Sequence, residues 1–282
     1  MIRGGCLGRL LPFRKAGAVE NMAVDEAVFW VSIRNKALPT LRFYGWKTPA
    51  LSIGYFQDFA KEVDSAACRR LRIDTIRRPT GGKAVLHEQE LTYAVIAGAD
   101  SPLFPPDILK TFRVISGCIA KGLMEVGITA EIKGGGRAAP EEPLRSSCFS
   151  TSSRYELLAG GRKICGAAQM RSHGFFLQHG ALLMEFDPVR TCAVVLPHRD
   201  REEQVRRLRD AVTSVGEQAG RPVDEETLCR ALRKGFEQVL GIRFEEGKLT
   251  PEEEELKREL MTKKYGRENW TKEGEKAWIF GL

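Results

Sequence analysis

A change of periodicity near residue 186 is the strongest constraint on what this chain can fold into. Before it, short apolar or alternating runs are punctuated by glycine, proline and turn residues. Beyond it, apolar residues recur at helical spacing. Residues 40–46 and 50–56 read as strands around a turn at 47–49, and 84–87 and 91–97 as two more. Residues 154–158 and 162–165 flank Gly160-Gly161 as a hairpin, and a further strand is expected at 175–185. Asn21 is placed to cap a helix, with Asp25 and Glu26 in or near its first turns, where a carboxylate suits the helix dipole. A short helix is expected over 58–72. Another begins at Pro105-Pro106, runs from Ile108 to Val126 and stops at Gly127. Amphipathic helices follow at 201–216 and 223–239, and the capping box Thr250-Pro-Glu-Glu253 opens one ending near Tyr265. Strands and helices do not alternate regularly, so a doubly wound parallel sheet is disfavoured. The expectation is an α+β fold with a largely antiparallel sheet and a helical C-terminal part.

At 282 residues the chain can bury a sizeable core without disulfide staples. No apolar run approaches the ~20 residues of a membrane span, and the N-terminal stretch lacks the ~7–15-residue core of a signal peptide. The seven cysteines are odd in number, form no C-x-x-C pair and have no histidine at zinc-finger spacing. A disulfide framework and structural zinc are therefore disfavoured, and a cytoplasmic location is expected. The net charge of +7 favours acidic partners, either nucleic acid or an acidic carrier protein. No Arg/Lys block exceeds two residues and no basic strand is interleaved with aromatics, which weighs against nucleic acid.

Three constellations have chemical potential. In Arg77-Arg78-Pro79-Thr80-Gly81-Gly82-Lys83-Ala84-Val85-Leu86-His87, two glycines beside cations allow a backbone to approach an acyl carbonyl or a phosphate. The spacing is neither G-x-x-x-x-G-K-[ST] nor G-x-G-x-x-G, and a plain tight turn is the competing reading. In the second, Cys148 sits among serines after a long polar loop, and Lys163 lies on the predicted hairpin. An ammonium nearby raises the thiolate fraction of a cysteine, whereas a lone cysteine is more commonly an inert buried side chain. The third is His173 with His179, which share a face only if their strand is unbroken. Metal binding and structural roles both remain open there.

These stretches resemble the biotin/lipoate ligase-like superfamily, and within it the lipoate-ligase-like bacterial octanoyltransferases. The match is carried by Asn21-Met-Ala-Val-Asp-Glu26, Leu41-Arg-Phe-Tyr-Gly-Trp46, Leu51-Ser-Ile-Gly-Tyr-Phe-Gln57, Arg77 to His87 with Glu90-Leu-Thr-Tyr93, and Gly161 to Gln169 with Gln178-His-Gly180. The resemblance implies a catalytic domain over 1–245 and a C-terminal helical extension over 246–282. It implies octanoyl transfer from acyl carrier protein to a lysine of a lipoyl domain, the acceptor being glycine-cleavage H protein, which the resemblance favours, or the acyltransferase subunits of 2-oxoacid dehydrogenases. It places an acyl thioester on Cys148, with Lys163 lowering the thiol's pKa or holding the acyl carbonyl. Neither cofactor nor metal is implied. Arg78, Gly81, Gly82, Val85, His87 and Tyr93 are expected to bind substrate, with Val85 and Tyr93 as walls by strand alternation. Ligases of the superfamily typically have a third glycine where this chain has Lys83. Cys165 stands where relatives often have a small residue and is read as packed. The competing functions are ATP-dependent lipoate ligation on the same fold, a non-catalytic lipoyl- or acyl-binding module, and a basic nucleic-acid binder.

Overall fold

The computed structural model describes residues 7–134, 155–196 and 200–274. In chain order its elements are β1 (Leu7–Ala16), α1 (Ala18–Asn35), β2 (Thr40–Trp46), β3 (Ala50–Ile53), α2 (Phe59–Glu62), α3 (Ser65–Arg70), β4 (Asp74–Arg77), β5 (Val85–His87), β6 (Glu90–Gly98), α4 (Ile108–Met124), β7 (Ala130–Gly134), β8 (Tyr155–Ala159), β9 (Arg162–Ser172), β10 (Phe175–Leu183), α5 (Pro188–Val194), α6 (Arg201–Ala211), α7 (Val215–Ala219), α8 (Glu225–Leu240), β11 (Arg243–Glu246), α9 (Pro251–Leu260) and α10 (Glu268–Glu273). A π-helical turn, Met261–Tyr265, joins the last two helices.

Eight strands form one mixed sheet in the order β11-β1-β2-β6-β10-β9-β8-β7. Strand β1 is parallel to β2 and β11, and the other neighbours are antiparallel. A second sheet, β4-β3-β5, lies apart from it. The α+β expectation, with a large and mainly antiparallel sheet, therefore holds.

Strand alternation divides the core between the two faces of the large sheet. Tyr93 and Val95 of β6 pack with Ile119 of α4 and Phe236 of α8. Ala94 and Ile96 face α1 and the C-terminal helices, alongside Val28, Leu260 and Trp270. Buried Glu26 of α1 fixes the C-terminal part in place. It accepts from Lys264 Nζ at 2.7 and 2.8 Å, from Trp30 Nε1 at 3.1 Å and from the Tyr265 hydroxyl. No helix among the described residues is long and apolar enough to cross a membrane.

Several local expectations change. Helix α1 starts at Ala18, so Asn21 is interior to it rather than its cap. The Asn21 amide instead donates to Ala16 O and Gly45 O, pinning α1 to two strand ends. Asp25 and Glu26 are buried partners of distant side chains, not first-turn dipole charges. The stretch 58–72 splits into two helices because Asp58 and Asp64 each cap a new start. Likewise Ser214 caps α7 and divides 201–216. Strands β1, β7 and β11 were not expected. The hairpin and the Thr250/Glu253 capping box form as read, and helix α4 starts at Ile108 as expected, capped by Asp107, but ends at Met124. The position 245/246 falls inside β11, which pairs with β1.

Candidate functional site

The basic Gly-Gly segment connects β4 to β5, and one side chain shapes it. The Arg78 guanidinium, 4% exposed, donates to Gly81 O at 2.8 and 3.2 Å and to Lys83 O at 2.7 Å. It also reaches Ser52 O and Ser52 Oγ, so the loop is wrapped around an arginine anchored on β3. Gly82 has φ +93°. Its carbonyl lies so close to Gly54 that a Cβ at residue 54 would sit 2.0 Å from it, which dictates glycine there.

Beside this loop is an apolar cavity with about 370 Å³ of empty space, its open mouth included. Met22 of α1, Tyr44 and Trp46 of β2, and Val85 and His87 of β5 form one side. Gly166–Ala168 of β9 and Gly180–Ala181 of β10 form another, and their small side chains are what leave the space open. Ser52, Arg78, Thr92 and His179 supply polar groups at the wall.

Both wall histidines stand between a buried carboxylate and a hydroxyl. His87 Nδ1 meets Glu90 Oε1 at 2.6 Å, its Nε2 meets Ser52 Oγ at 2.7 Å, and Trp46 stacks on its ring at 4.1 Å. Thr92 Oγ1 also donates to Glu90 Oε1, while the buried Glu90 Oε2 has no hydrogen-bond partner among the described residues. His179 Nδ1 meets Asp25 Oδ2 at 3.1 Å and its Nε2 meets Thr80 Oγ1 at 2.6 Å. Burial raises the Asp25 carboxyl, but Arg42 at 2.5 Å and His179 outweigh it and hold the group below the usual range. Burial pushes the His179 imidazole below its ordinary value, against the pull of Asp25.

Lys163 reaches this side of the sheet through an irregularity. Leu157 pairs with Cys165 and Leu158 with Lys163, so Ile164 is an extra residue in β9. Ile164 and Cys165 both enter the core under α4 and α8. Lys163 is thereby turned to the opposite face, the one that carries the cavity, where its buried ammonium meets Glu156 Oε1 at 3.0 Å. Cys148 lies outside the described residues. Burial raises the thiols of Cys68 to about 11 and Cys229 to about 12, and raises those of Cys118 and Cys192 as well. Cys165 is a small packed side chain, 6% exposed.

Arg78, Val85 and His87 therefore converge on the cavity, with Gly81 and Gly82 held beside them by Arg78. Tyr93 does not. It points to the other face of β6, into the core with Phe236, and Thr92 lines the cavity instead. Alternation separates the two faces of a strand but does not say which is which. His173 sits in the β9–β10 turn with φ 47°, so it does not share a face with His179. Among the described residues no cluster of three or more His, Cys, Asp or Glu side chains is placed to hold a metal ion. Asp25, Arg42, Thr80 and His179 were not expected in the site as a group. Their polarity on otherwise apolar elements was the available signal.

Residues 18–237 match the family model described as the lipoyl protein ligase A/B catalytic domain. The octanoyltransferase LipM of Kyrpidia tusciae is 42% identical over 272 residues, covering 93% of this chain and 97% of that protein. The octanoyltransferase LipM of Bacillus subtilis is 35% identical over 268 residues, covering 93% and 96%. Among solved structures, a putative lipoate protein ligase from T. acidophilum with bound lipoic acid superposes with a TM-score of 0.75 at 30% identity, covering 94% of this chain and 98% of that one. A structure from a study of a bi-partite lipoate protein ligase and its E2 lipoyl domain from Thermoplasma acidophilum gives a TM-score of 0.80 at 28% identity, covering 98% and 100%.

Proposed function

The chain belongs to the lipoyl protein ligase A/B catalytic-domain family, and within it is an octanoyltransferase of lipoate biosynthesis, for which we propose a two-step acyl transfer through Cys148. The Cys148 thiolate attacks the carbonyl of an octanoyl thioester on acyl carrier protein. The bond from acyl carbon to the carrier's sulfur breaks, and the carrier thiolate leaves and takes up a proton. The neutral ε-amine of a lipoyl-domain lysine then attacks octanoyl-Cys148. An amide forms, the carbon–sulfur bond to Cys148 breaks, and the amine's proton leaves with the thiol. Thioester exchange is nearly isoenergetic and amide formation drives the second step, so no nucleotide is consumed. Ping-pong kinetics follow from a single nucleophile serving both halves.

The observation that carries this reading is the turn of Lys163 onto the cavity face of the sheet. An ammonium there favours the Cys148 thiolate and polarises the acyl carbonyl. The cavity takes the acyl tail. Burying eight carbons contributes up to ~6 kcal/mol at ~0.8 per methylene, enough to select chain length. Gly81 and Gly82, in a loop whose Gly81 and Lys83 carbonyls accept from Arg78, offer backbone N–H groups to the thioester. Glycine-cleavage H protein is the acceptor we propose, and the net charge of +7 suits acidic protein partners in the cytoplasm.

Intact-protein mass tests the scheme. Wild type incubated with octanoyl-carrier protein and no ATP is expected to gain one octanoyl group. That group should be removable by hydroxylamine, transferable to a lipoyl domain, and absent from Cys148→Ser. The neighbouring ligase structures favour the one competing reading. No adduct, with acyl transfer to the lipoyl domain only when ATP is supplied, overturns the transferase in favour of that ligase.

A further inference from the structure

The hydrogens of the Asp25–His179–Thr80 chain can be assigned from its surroundings. Asp25 accepts from Arg42 at 2.5 Å and from the Tyr44 hydroxyl at 2.8 Å, so it is an ionised acceptor. His179 Nδ1 must then carry hydrogen toward Oδ2, which leaves Nε2 to accept the Thr80 hydroxyl proton at 2.6 Å. Thr80 is fully buried, which excludes it as a nucleophile toward a bulky protein substrate. Its carbonyl accepts the Tyr55 N–H at 2.9 Å, so residue 80 is fixed at side chain and main chain together. The next two residues are Gly81, whose carbonyl accepts from Arg78, and Gly82, followed by Lys83, whose carbonyl accepts from the same guanidinium.

We propose that His179 is a positioning residue for octanoyl transfer, holding Thr80 through its neutral Nδ1–H form and thereby fixing the start of the Gly81–Gly82 loop beside the cavity. This role rests on the acyl-transfer reading above. A second hydrogen on Nε2 reverses this bond: the Thr80 hydroxyl must turn to accept instead of donate, which changes how residue 80 is held. The charged and titratable groups facing His179 are Asp25 from α1, Arg42 and Tyr44 from β2, Arg78 from the loop and His87 from β5. Arg78 and any charge on His87 oppose a second proton, and Asp25 favours one.

Two measurements on the full chain test this. The side-chain nitrogens of His179 are read by NMR, assigned by their loss in His179→Gln. The Nδ1–H form is expected near neutral pH, and the Nε2–H form overturns the proposal. Octanoyl transfer is then followed against pH for wild type, Thr80→Val and Thr80→Ser, with melting curves confirming that each is folded. Thr80→Val should lower kcat about tenfold, the scale of one lost hydrogen bond, with KM for octanoyl-carrier protein little changed. It should also lose the part of the acid-side decline that His179 causes, while Thr80→Ser restores both rate and profile. A purely structural Thr80 lowers rate without altering the pH profile, and that outcome overturns the proposal. If wild type transfers no octanoyl group at all, the underlying reading falls and the role with it. If wild type transfers and Thr80→Val matches it in rate and profile, the role alone falls.

Discussion

Lys163 lies on the face of the sheet that carries the cavity because one residue, Ile164, is surplus in its strand. Without that bulge the ammonium would enter the core with Cys165, where burying a charge is prohibitive. Lys163→Gln also disturbs the buried Glu156 carboxylate, so the cleaner variant couples it to Glu156→Gln. This double variant is expected to melt within a few degrees of wild type but to form octanoyl-Cys148 about 100-fold more slowly, as when one transition-state donor is removed. Mass spectrometry against time measures it. His179 gives a second prediction, on stability. Its folded pKa lies below its ordinary 6.5, so the unfolded chain binds more protons as pH falls through that value. Its contribution to stability is complete above that range and is lost on acidification toward the lowered folded pKa. The loss of Tm between neutral pH and about pH 5.5 should be smaller in His179→Gln than in wild type.

At the scale of elements, α4 and α8 approach closely enough that a Cβ on Gly235 would lie 2.4 Å from Cys118 O and from Gly122 N. Gly235→Ala must therefore separate the helices, at a cost of about 1–3 kcal/mol. Chemical denaturation should show that loss, while octanoyl transfer, carried on the opposite face of the sheet, continues at the wild-type rate in the folded fraction. Elements of this kind were legible in sequence where a local rule decides them. The Gly160-Gly161 pair takes φ +56° and +75°, as a tight hairpin requires, and Thr250 with Glu253 makes a reciprocal cap. Helix α1 was misread at its start because Asn21, Asp25 and Glu26 look like start signals. Their partners lie on β2, β10 and the C-terminal turn, far along the chain. The short edge strands β7 and β11 escaped because each exists through its neighbour's ladder rather than its own pattern. In the site, the Gly-Gly loop and Lys163 stand out by residue type. The Asp25–His179–Thr80 chain does not, since its members lie on three separate segments that only the fold assembles.

Across the whole molecule, the net charge of +7 bears on encounter rather than on chemistry. Raising salt from about 0.1 M to about 1 M shortens the Debye length from about 10 Å to about 3 Å. The expected result is a several-fold rise in KM for an acidic octanoyl-carrier protein with kcat nearly constant, measured by steady-state transfer assays. Another long-range feature is the buried Arg77. Its guanidinium donates to the carbonyls of Gly54, Tyr55 and Gln57 on one side, and of Trp270 and Lys272 on the other. Trp270 Nε1 returns a hydrogen bond to Arg77 O at 3.0 Å. The loop that abuts Gly82 and a helix near the end of the chain thus share one knot, though 193 positions separate Arg77 from Trp270. Neither side can fray without stranding the same cation, so the two stretches should exchange their amide hydrogens as a single cooperative unit. Synthesis order then has a consequence for a nascent chain: the Gly-Gly loop, made early, is not fully braced until residues 268–273 have arrived.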